Sequence, residues 1–331
     1  MRRFRILFPA VAALAVAGLA LSGCAATEEA DPSAGSSDSY NVYALLPQGT
    51  DQPYGTTYLP AMQAKADELG IDLTITNSQY DADTQASDCK VAVAAAPDLI
   101  ILWPAVGDTV RPCLEAAKAA GIPVTATNSD VNPEDKDLIQ GYSGPDTYGQ
   151  GAASAEMMCD AADGAPTNIL VIDGLTGNST AINRHEGFAD YIAENCTNIT
   201  ILASQPGNWN KDDSQIATSE MLTSVGADNV QGIYAADDTM VAGAIDALKA
   251  RGIDPSSLII TSIGNTFLGN PLVISGDLYG TVFQSSSWDG ENAVVLAYNV
   301  LTGETVEDNL FMPSVKVTED NASDAAVAPE W

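Results

Sequence analysis

The feature that most constrains this chain is a repeating unit: an apolar run, a polar break, then a segment with helical periodicity. It is clearest in Gly232-Ile-Tyr-Ala-Ala-Asp-Asp-Thr-Met-Val-Ala-Gly-Ala-Ile-Asp-Ala-Leu-Lys-Ala-Arg-Gly-Ile253. The run reads as a strand up to Asp237-Asp238, after which Met240, Val241, Ala244, Ile245 and Leu248 recur at helical spacing. Asp238 is placed to cap that helix, because a carboxylate there meets the orphan N–H groups of the first turn and the positive end of the macrodipole. Asp237 is then left at the carboxyl end of a strand, where an α/β sheet opens its ligand crevice, as an acceptor for ligand hydroxyls.

The same unit places strands over 42–46, 71–76, 99–103, 122–127 and 138–141, with helices over 58–69, 84–95, 110–120 and 148–162. After Gly164-Ala165-Pro166 it restarts, with strands over 169–172, 199–203 and 258–263 and helices over 181–194 and 214–225, besides the unit quoted above. Continuous apolar strands alternating with helices imply parallel sheets covered on both faces. A chain of 331 residues exceeds what one core usually serves. The fold read from the sequence is therefore α/β, with two doubly wound, Rossmann-like parallel-sheet domains. The later elements, 279–284, 290–301 and an edge-like run 314–318, are too few for a third domain and are expected to complete these two.

The first residues belong to neither domain. Arg2, Arg3 and Arg5 precede an apolar run from Ile6 to Leu21 that ends in Leu21-Ser-Gly-Cys24. That order is an export signal over 1–23, too short for an ordinary spanning helix. The last four residues resemble the bacterial lipoprotein box, so Cys24 is expected to carry lipid and to hold the protein on the outer face of the cell membrane. Residues 24–39 are small, polar and acidic and read as a disordered tether.

The leader holds three of the 13 basic residues and none of the 44 acidic ones, so its removal takes the net charge from −31 to −34. Such a field repels phosphate backbones and excludes nucleic acid as a partner. Cys89, Cys113, Cys159 and Cys196 remain, an even number in an exported chain, which points to two disulfides. Four cysteines can pair in three ways; placement on consecutive helices favours Cys89 with Cys113 and Cys159 with Cys196. With His185 as the one histidine and no CxxC spacing, no metal and no cofactor is expected.

Polar and aromatic residues gather where the strands end. In the first half these are Gln48, Gln52 and Tyr54, then Trp103, then Asn128, Ser129 and Asp130. In the second they are Gly174 to Ser179, Trp209, Asp237, Asn265 and Gln284, with Asn183 and Arg184 as further candidates on the helix after Ser179. Aromatic faces beside amides and carboxylates suit a carbohydrate, whose C–H faces stack on rings while its hydroxyls need directional partners. Trp103 also fits a core position and Asn265 a turn, whereas Trp209, between Gly207-Asn208 and Asn210, is hard to place in a core.

On these residues the chain resembles the type I periplasmic sugar-binding proteins, in particular the ribose-binding-like branch that delivers sugars to ABC transporters. The resemblance runs from about Tyr40 to Thr318. It is carried by Pro53-Tyr54 with Ala66-Asp-Glu-Leu-Gly70, Ala120-Gly-Ile-Pro-Val124, Arg184-His-Glu-Gly-Phe188, Ala203-Ser-Gln-Pro-Gly-Asn-Trp209 and Ala236-Asp-Asp-Thr-Met240. It implies two domains joined by a three-crossing hinge near Ser143, Gln284 and Met312, hence 40–143 with 285–312 and 144–284 with 313–331. It also implies that Gln52, Tyr54, Trp209, Asp237 and Gln284 contact a sugar, that the partners are a sugar and an ABC transporter permease, and that the protein is a monomer. Pentose-binding relatives often carry an Asp-Arg pair after the fourth strand and an Arg before Glu-Gly-Phe; here stand Asn128-Ser129 and Ile182. Losing two forked donors changes which hydroxyls can be held, so the family's sugar does not carry over.

Other chemistries fit less well. A glycosidase needs two carboxylates ~5–10 Å apart across the scissile bond, and Asp237 and Asp238 are neighbours that a helix start points apart. Asn208, Asn210 and Asp212 imitate the start of a calcium loop, but Asp213 and Ser219 stand where Gly and Glu are required. A receptor that presents its ligand to a membrane sensor would use the same cleft as one that feeds a permease.

Overall fold

The computed structural model describes residues 39–331. The expected signal, the lipidation site at Cys24 and all but the last residue of the expected tether lie outside the described residues. From Tyr40 the chain forms β1 (Tyr40–Leu46), α1 (Gly55–Leu69), β2 (Ile71–Asn77), α2 (Ala82–Ala95), β3 (Leu99–Leu102), α3 (Arg111–Ala120), β4 (Val124–Thr127) and β5 (Tyr142–Gly144). It continues through α4 (Thr147–Ala162), β6 (Thr167–Asp173), α5 (Ser179–Asn195), β7 (Ile199–Pro206), α6 (Lys211–Val225), β8 (Gly232–Ala235), α7 (Asp238–Ala250), β9 (Ile259–Gly264), α8 (Gly269–Ser275) and β10 (Gly280–Phe283). The last elements are α9 (Ser286–Leu301), β11 (Asn309–Phe311) and β12 (Val315–Thr318).

Two six-stranded sheets result, in the orders β2-β1-β3-β4-β5-β11 and β7-β6-β8-β9-β10-β12. Neighbouring strands are parallel except the edge pair β10 and β12. The chain passes between the sheets three times, from β5 into α4, from β10 into α9 and from β11 into β12. We call the two halves the first and second lobe.

Strand alternation explains why both sheet faces are apolar. In the first lobe Val42, Ala44 and Leu46, with Leu99, Ile101 and Trp103, pack with residues of α1 and α9 such as Tyr58, Met62 and Val294. Their alternates Leu45, Ile100 and Leu102 join Val124, Ala126 and residues of α2 and α3 such as Leu114. Successive side chains of one strand thus enter opposite layers. The second lobe is built around Ile169 to Ile172, Ile233 and Tyr234, where Phe188 stacks on Tyr234 at 3.9 Å between ring centroids. The disulfides tie neighbouring helices within each lobe, Cys89 to Cys113 and Cys159 to Cys196, as helix placement suggested. Loop-closure entropy makes each worth about 3–4 kcal/mol.

Several boundaries shift by up to four residues, α9 beginning at Ser286 rather than 290, and three elements differ more. The fifth strand is Tyr142–Gly144, not 138–141, because Pro133 opens a 3-10 turn that runs through Leu138. Its Asp135 is buried beneath Arg111. Helix α8 has only 7 residues, with Pro271 inside, and β11 only 3, so neither shows a full period in the sequence.

Candidate functional site

A cavity of about 460 Å³ lies between the lobes. Its lining follows the carboxyl ends of β1 to β4 on one side and of β6, β7, β8 and β10 on the other. Among the expected residues it brings together Gln48, Gln52, Tyr54, Trp103, Asn128, Ser129, Arg184, Trp209, Asp237 and Gln284.

It does not bring in Asp130, Asn183 or Asn265. Asp130 and Asn183 border a separate hollow beside Lys136 and Tyr148. There Asp130 pairs with Lys136, and Asn183 donates to Thr147 Oγ1 at 3.1 Å. A step of one residue along α5 turns a side chain by about 100°, which separates Asn183 from Arg184. Asn265 is fully buried. It donates to the Val327 carbonyl, accepts from Asn270 Nδ2 at 3.1 Å and holds a turn at φ 51°.

The first-lobe wall is aromatic. Trp103 and Trp331 meet the Tyr54 ring edge-on, at centroid distances of 5.7 and 4.9 Å, and Tyr58 lies behind at 5.9 Å. Beneath this wall the fully buried Asp289 accepts from Tyr54 Oη at 2.7 Å and Asn128 Nδ2 at 2.6 Å, with Thr127 Oγ1 at 3.5 Å. Burial pushes the Asp289 carboxyl up to about 7, although the bonds from Asn128 and Tyr54 pull the other way. Burial and then the Asp289 charge raise Tyr54 well above its ordinary range, so it stays a neutral donor.

The second-lobe wall is charged. Arg184, 4% exposed, spends its fork on Gln150 Oε1 at 3.2 and 2.8 Å, on the Ala236 carbonyl at 2.7 Å and on Gln284 Oε1. Its guanidinium carbon lies 5.9 Å from the Trp209 ring, within cation–π range. Arg184 thus orients its neighbours more than it offers donors. Trp209 and the preceding Asn208 have φ of 57° and 56°, conformations uncommon for such side chains and concentrated at functional sites. Gly174 lies against the indole, and a Cβ there would collide with the ring.

Asp237, not Asp238, caps α7. Asp237 is extended and its Oδ1 accepts from Met240 N at 2.7 Å. Asp238 is the first helical residue and points inward, to Ser262 Oγ, to Thr266 N at 2.7 Å and to Thr281 Oγ1 at 2.9 Å. The cap therefore also lines the cavity, and its Oδ2 has no protein partner among the described residues. Burial raises Asp237 to about 7, with the Met240 bond and Arg184 pulling down. With Asp238 turned away from the cavity, the neighbouring aspartates make no acid–base pair for glycoside cleavage. Among the described residues no cluster of three or more His, Cys, Asp or Glu could hold a metal ion.

The lobes touch along one edge of the cavity. Asn178 Nδ2 donates to the Ala105 carbonyl at 3.0 Å and to Ser129 Oγ at 3.3 Å, Ser129 and Thr180 hydroxyls meet at 2.8 Å, and Gly107 N reaches Gly177 O at 3.1 Å. Tyr54 Oη also accepts from Gln284 Nε2 at 3.0 Å. Tyr80, Thr180 and Trp331 line the cavity without having been singled out in the sequence, and of the 174–179 stretch the cavity takes in Asn178. Tyr80 follows β2 and obeys the strand-end rule used for the others; Trp331 follows no such rule.

A family model described as a periplasmic binding protein domain matches residues 43–305. A xylitol-binding protein of Mycolicibacterium smegmatis is 29% identical over 312 residues, covering 94% of this chain and 85% of that protein. The crystal structure of a galactofuranose-binding protein superposes with a TM-score of 0.79 at 25% identity, over 86% of this chain and 96% of the other. A structure from Mycobacterium smegmatis in complex with β-D-fucofuranose gives a TM-score of 0.80 at 25% identity, over 87% and 94%. The chain, with its two sheets, three crossings and lined cavity, belongs to the periplasmic binding protein family.

Proposed function

We propose that this protein is the solute receptor of an ABC transporter, capturing one small sugar or polyol between its lobes and handing it to the permease. The observation that carries the reading is the cavity: aromatic faces on both lobes surround polar atoms that the protein itself leaves free. Gln48 Oε1 and Trp103 Nε1 are buried without a hydrogen-bond partner, and Asp237 presents its second oxygen. Its volume of about 460 Å³ lies in the lower part of the range of about 300–1,000 Å³ usual for small-ligand pockets. Trp209 stacks on the apolar face of the ligand, Asp237 accepts from its hydroxyls, and Gln48, Gln52, Asn128 and Gln284 supply further polar contacts. The three crossings form the hinge about which the lobes close. The names of the relatives, which bind xylitol and furanose sugars, support this ligand class. Cys24 carries the lipid that holds the receptor on the outer face of the membrane.

A thermal-shift screen of monosaccharides and polyols tests the reading, since a ligand that binds only the native state raises the apparent melting temperature. No shift across a broad panel at millimolar concentration refutes it. The anchor is tested separately: Cys24→Ala releases the protein to the medium, and retention in the membrane fraction refutes the lipid.

A further inference from the structure

The segment that follows β12 runs back to the cavity. It is fastened to the second lobe by Asn270 Nδ2 on the Ala322 carbonyl at 2.8 Å, by Asn265 on the Val327 carbonyl, and by Phe267 N on the Trp331 carbonyl at 2.6 Å. It is fastened to the first lobe by Thr57 Oγ1, which donates to the Glu330 carbonyl at 2.8 Å. The Glu330 carboxylate sits at the start of α9 and accepts from Ser287 N at 2.9 Å, Ser287 Oγ at 3.0 Å and Ser285 Oγ at 2.8 Å. An acid at a helix N-terminus meets free N–H groups and the positive end of the dipole, so this anchor is firm. Trp331 is the result: its Nε1 donates to the Gln284 carbonyl at 3.1 Å, and its ring meets Tyr54 and lines the cavity.

We propose that Trp331 is a ligand-contacting residue that sets the size of the ligand, and that the segment over 319–331 is thereby part of the binding site. The indole is only partly buried, as a cavity wall is and a core plug is not. Its one donor is spent on Gln284, so it offers a ligand apolar ring surface alone. Trp209 supplies the aromatic surface of the other lobe. A single-ring saccharide or a short polyol presents a C–H face to such a wall, and a second sugar ring meets the indole as an obstacle. Because the segment is tied to both lobes, the wall keeps its place across the joint that the hinge strands cross. This inference rests on the cavity being a sugar site.

Calorimetry with D-xylose, D-galactose, xylitol and lactose tests it, on the wild type, Trp331→Phe and Trp331→Ala. The expected result is that Trp331→Ala weakens the bound single-ring or polyol probe about tenfold and binds lactose better relative to it, while Trp331→Phe stays within about threefold. Unchanged affinity in Trp331→Ala overturns the inference and leaves the sugar reading standing. Equal weakening of every probe overturns it too, because a merely structural loss does not change selectivity. A wild type that binds none of these probes and shows no thermal shift across the wider panel of sugars and polyols overturns the sugar reading and this inference with it. If Trp331→Ala does not fold, tryptophan fluorescence decides: saturation with the bound probe changes the emission of the wild type, and Trp331→Phe loses a measurable part of that change. An undiminished change in Trp331→Phe overturns the inference.

Discussion

Each lobe sets a buried aspartate at the start of a helix beside the cavity, Asp289 in α9 and Asp237 before α7, and the two carboxyls are pushed by burial to the same value of about 7. Their partners differ. Asp289 is sealed behind Tyr54 and takes side-chain donors from Tyr54 and Asn128 at 2.6–2.7 Å. Asp237 takes one backbone N–H and keeps an oxygen for the cavity. The desolvation is alike, and the use is opposite: a satisfied carboxylate fixes a wall, whereas one with spare acceptor capacity waits for a donor that only a ligand brings.

The widest break of this comparison is Asp289→Ala. It strands the Tyr54 hydroxyl and the Asn128 amide in a dry site, and a buried donor without a partner costs about 1–3 kcal/mol. A loss of stability of about 2–4 kcal/mol in urea denaturation is expected. A variant as stable as wild type would mean that water accepts from the wall's donors in place of the carboxylate.

Asp237→Ala acts on binding. The carboxylate-to-hydroxyl bonds it removes are worth about 1.5–3 kcal/mol, a loss of affinity of at least about tenfold. The lost cap costs about 1 kcal/mol of stability. Asp238→Ala is the contrast, since it leaves three inward donors unmet and is expected to lower stability far more than affinity. Calorimetry beside thermal melts separates the two variants, and equal affinity for wild type and Asp237→Ala would move the ligand elsewhere in the cavity.

The pH dependence follows with two signs. The folded pKa of both Asp237 and Asp289 stands above the ordinary 3.8, so the folded state holds more protons than the unfolded one between about 4 and about 7. Stability therefore falls as pH rises through that window. His185, 2.8 Å from Asp173, has a raised pKa because of that hydrogen bond. Its contribution is full below 6.5 and is lost as pH rises through its folded value, which is the same direction. Affinity runs the other way, because hydroxyl donors need Asp237 charged. With a pKa of about 7, roughly a tenth of it is charged at pH 6, so binding there is about tenfold weaker than at pH 8. Melts and calorimetry between pH 5.5 and 8 check both slopes, and Asp237→Asn is expected to flatten the second.

The aspartates also mark what the sequence could and could not say. The order of strands and helices is legible because residues such as Val42 to Leu46 and Met240 to Leu248 carry their periods locally, and strand ends locate Gln48, Trp209 and Asp237. Which of Asp237 and Asp238 caps the helix depends on one backbone angle, and the donors that draw Asp238 inward, Ser262, Thr266 and Thr281, lie on later elements. Asp289 stands just before the helix expected over 290–301 and carries no local sign of burial; its donors Tyr54 and Asn128 are 235 and 161 residues away. Trp331 reaches the cavity through Glu330, Asn265 and Asn270, contacts that no local pattern announces.

The smallest effect probes the joint between the two walls. Asn178 does two jobs: its Oδ1 caps α5 through Ala181 N at 3.3 Å, and its Nδ2 donates across the lobes to the Ala105 carbonyl at 3.0 Å. Asn178→Asp keeps an acceptor for the cap, which an aspartate fills as well as an asparagine, and removes the donor that holds the first lobe. If the cross-lobe bond stabilises the closed arrangement, its loss costs about 1 kcal/mol of closure, hence about fivefold in affinity, with the melting temperature little changed. Asn178 also lines the cavity, so affinity alone does not tell a lost latch from a lost ligand contact. Small-angle scattering of the ligand-free protein does: a lost latch enlarges the radius of gyration before any ligand is added, whereas a lost contact leaves it unchanged. A variant with wild-type dimensions and wild-type affinity would show that the other cross-lobe contacts, among them Ser129–Thr180, Gly107–Gly177 and Tyr54–Gln284, hold the lobes together without it.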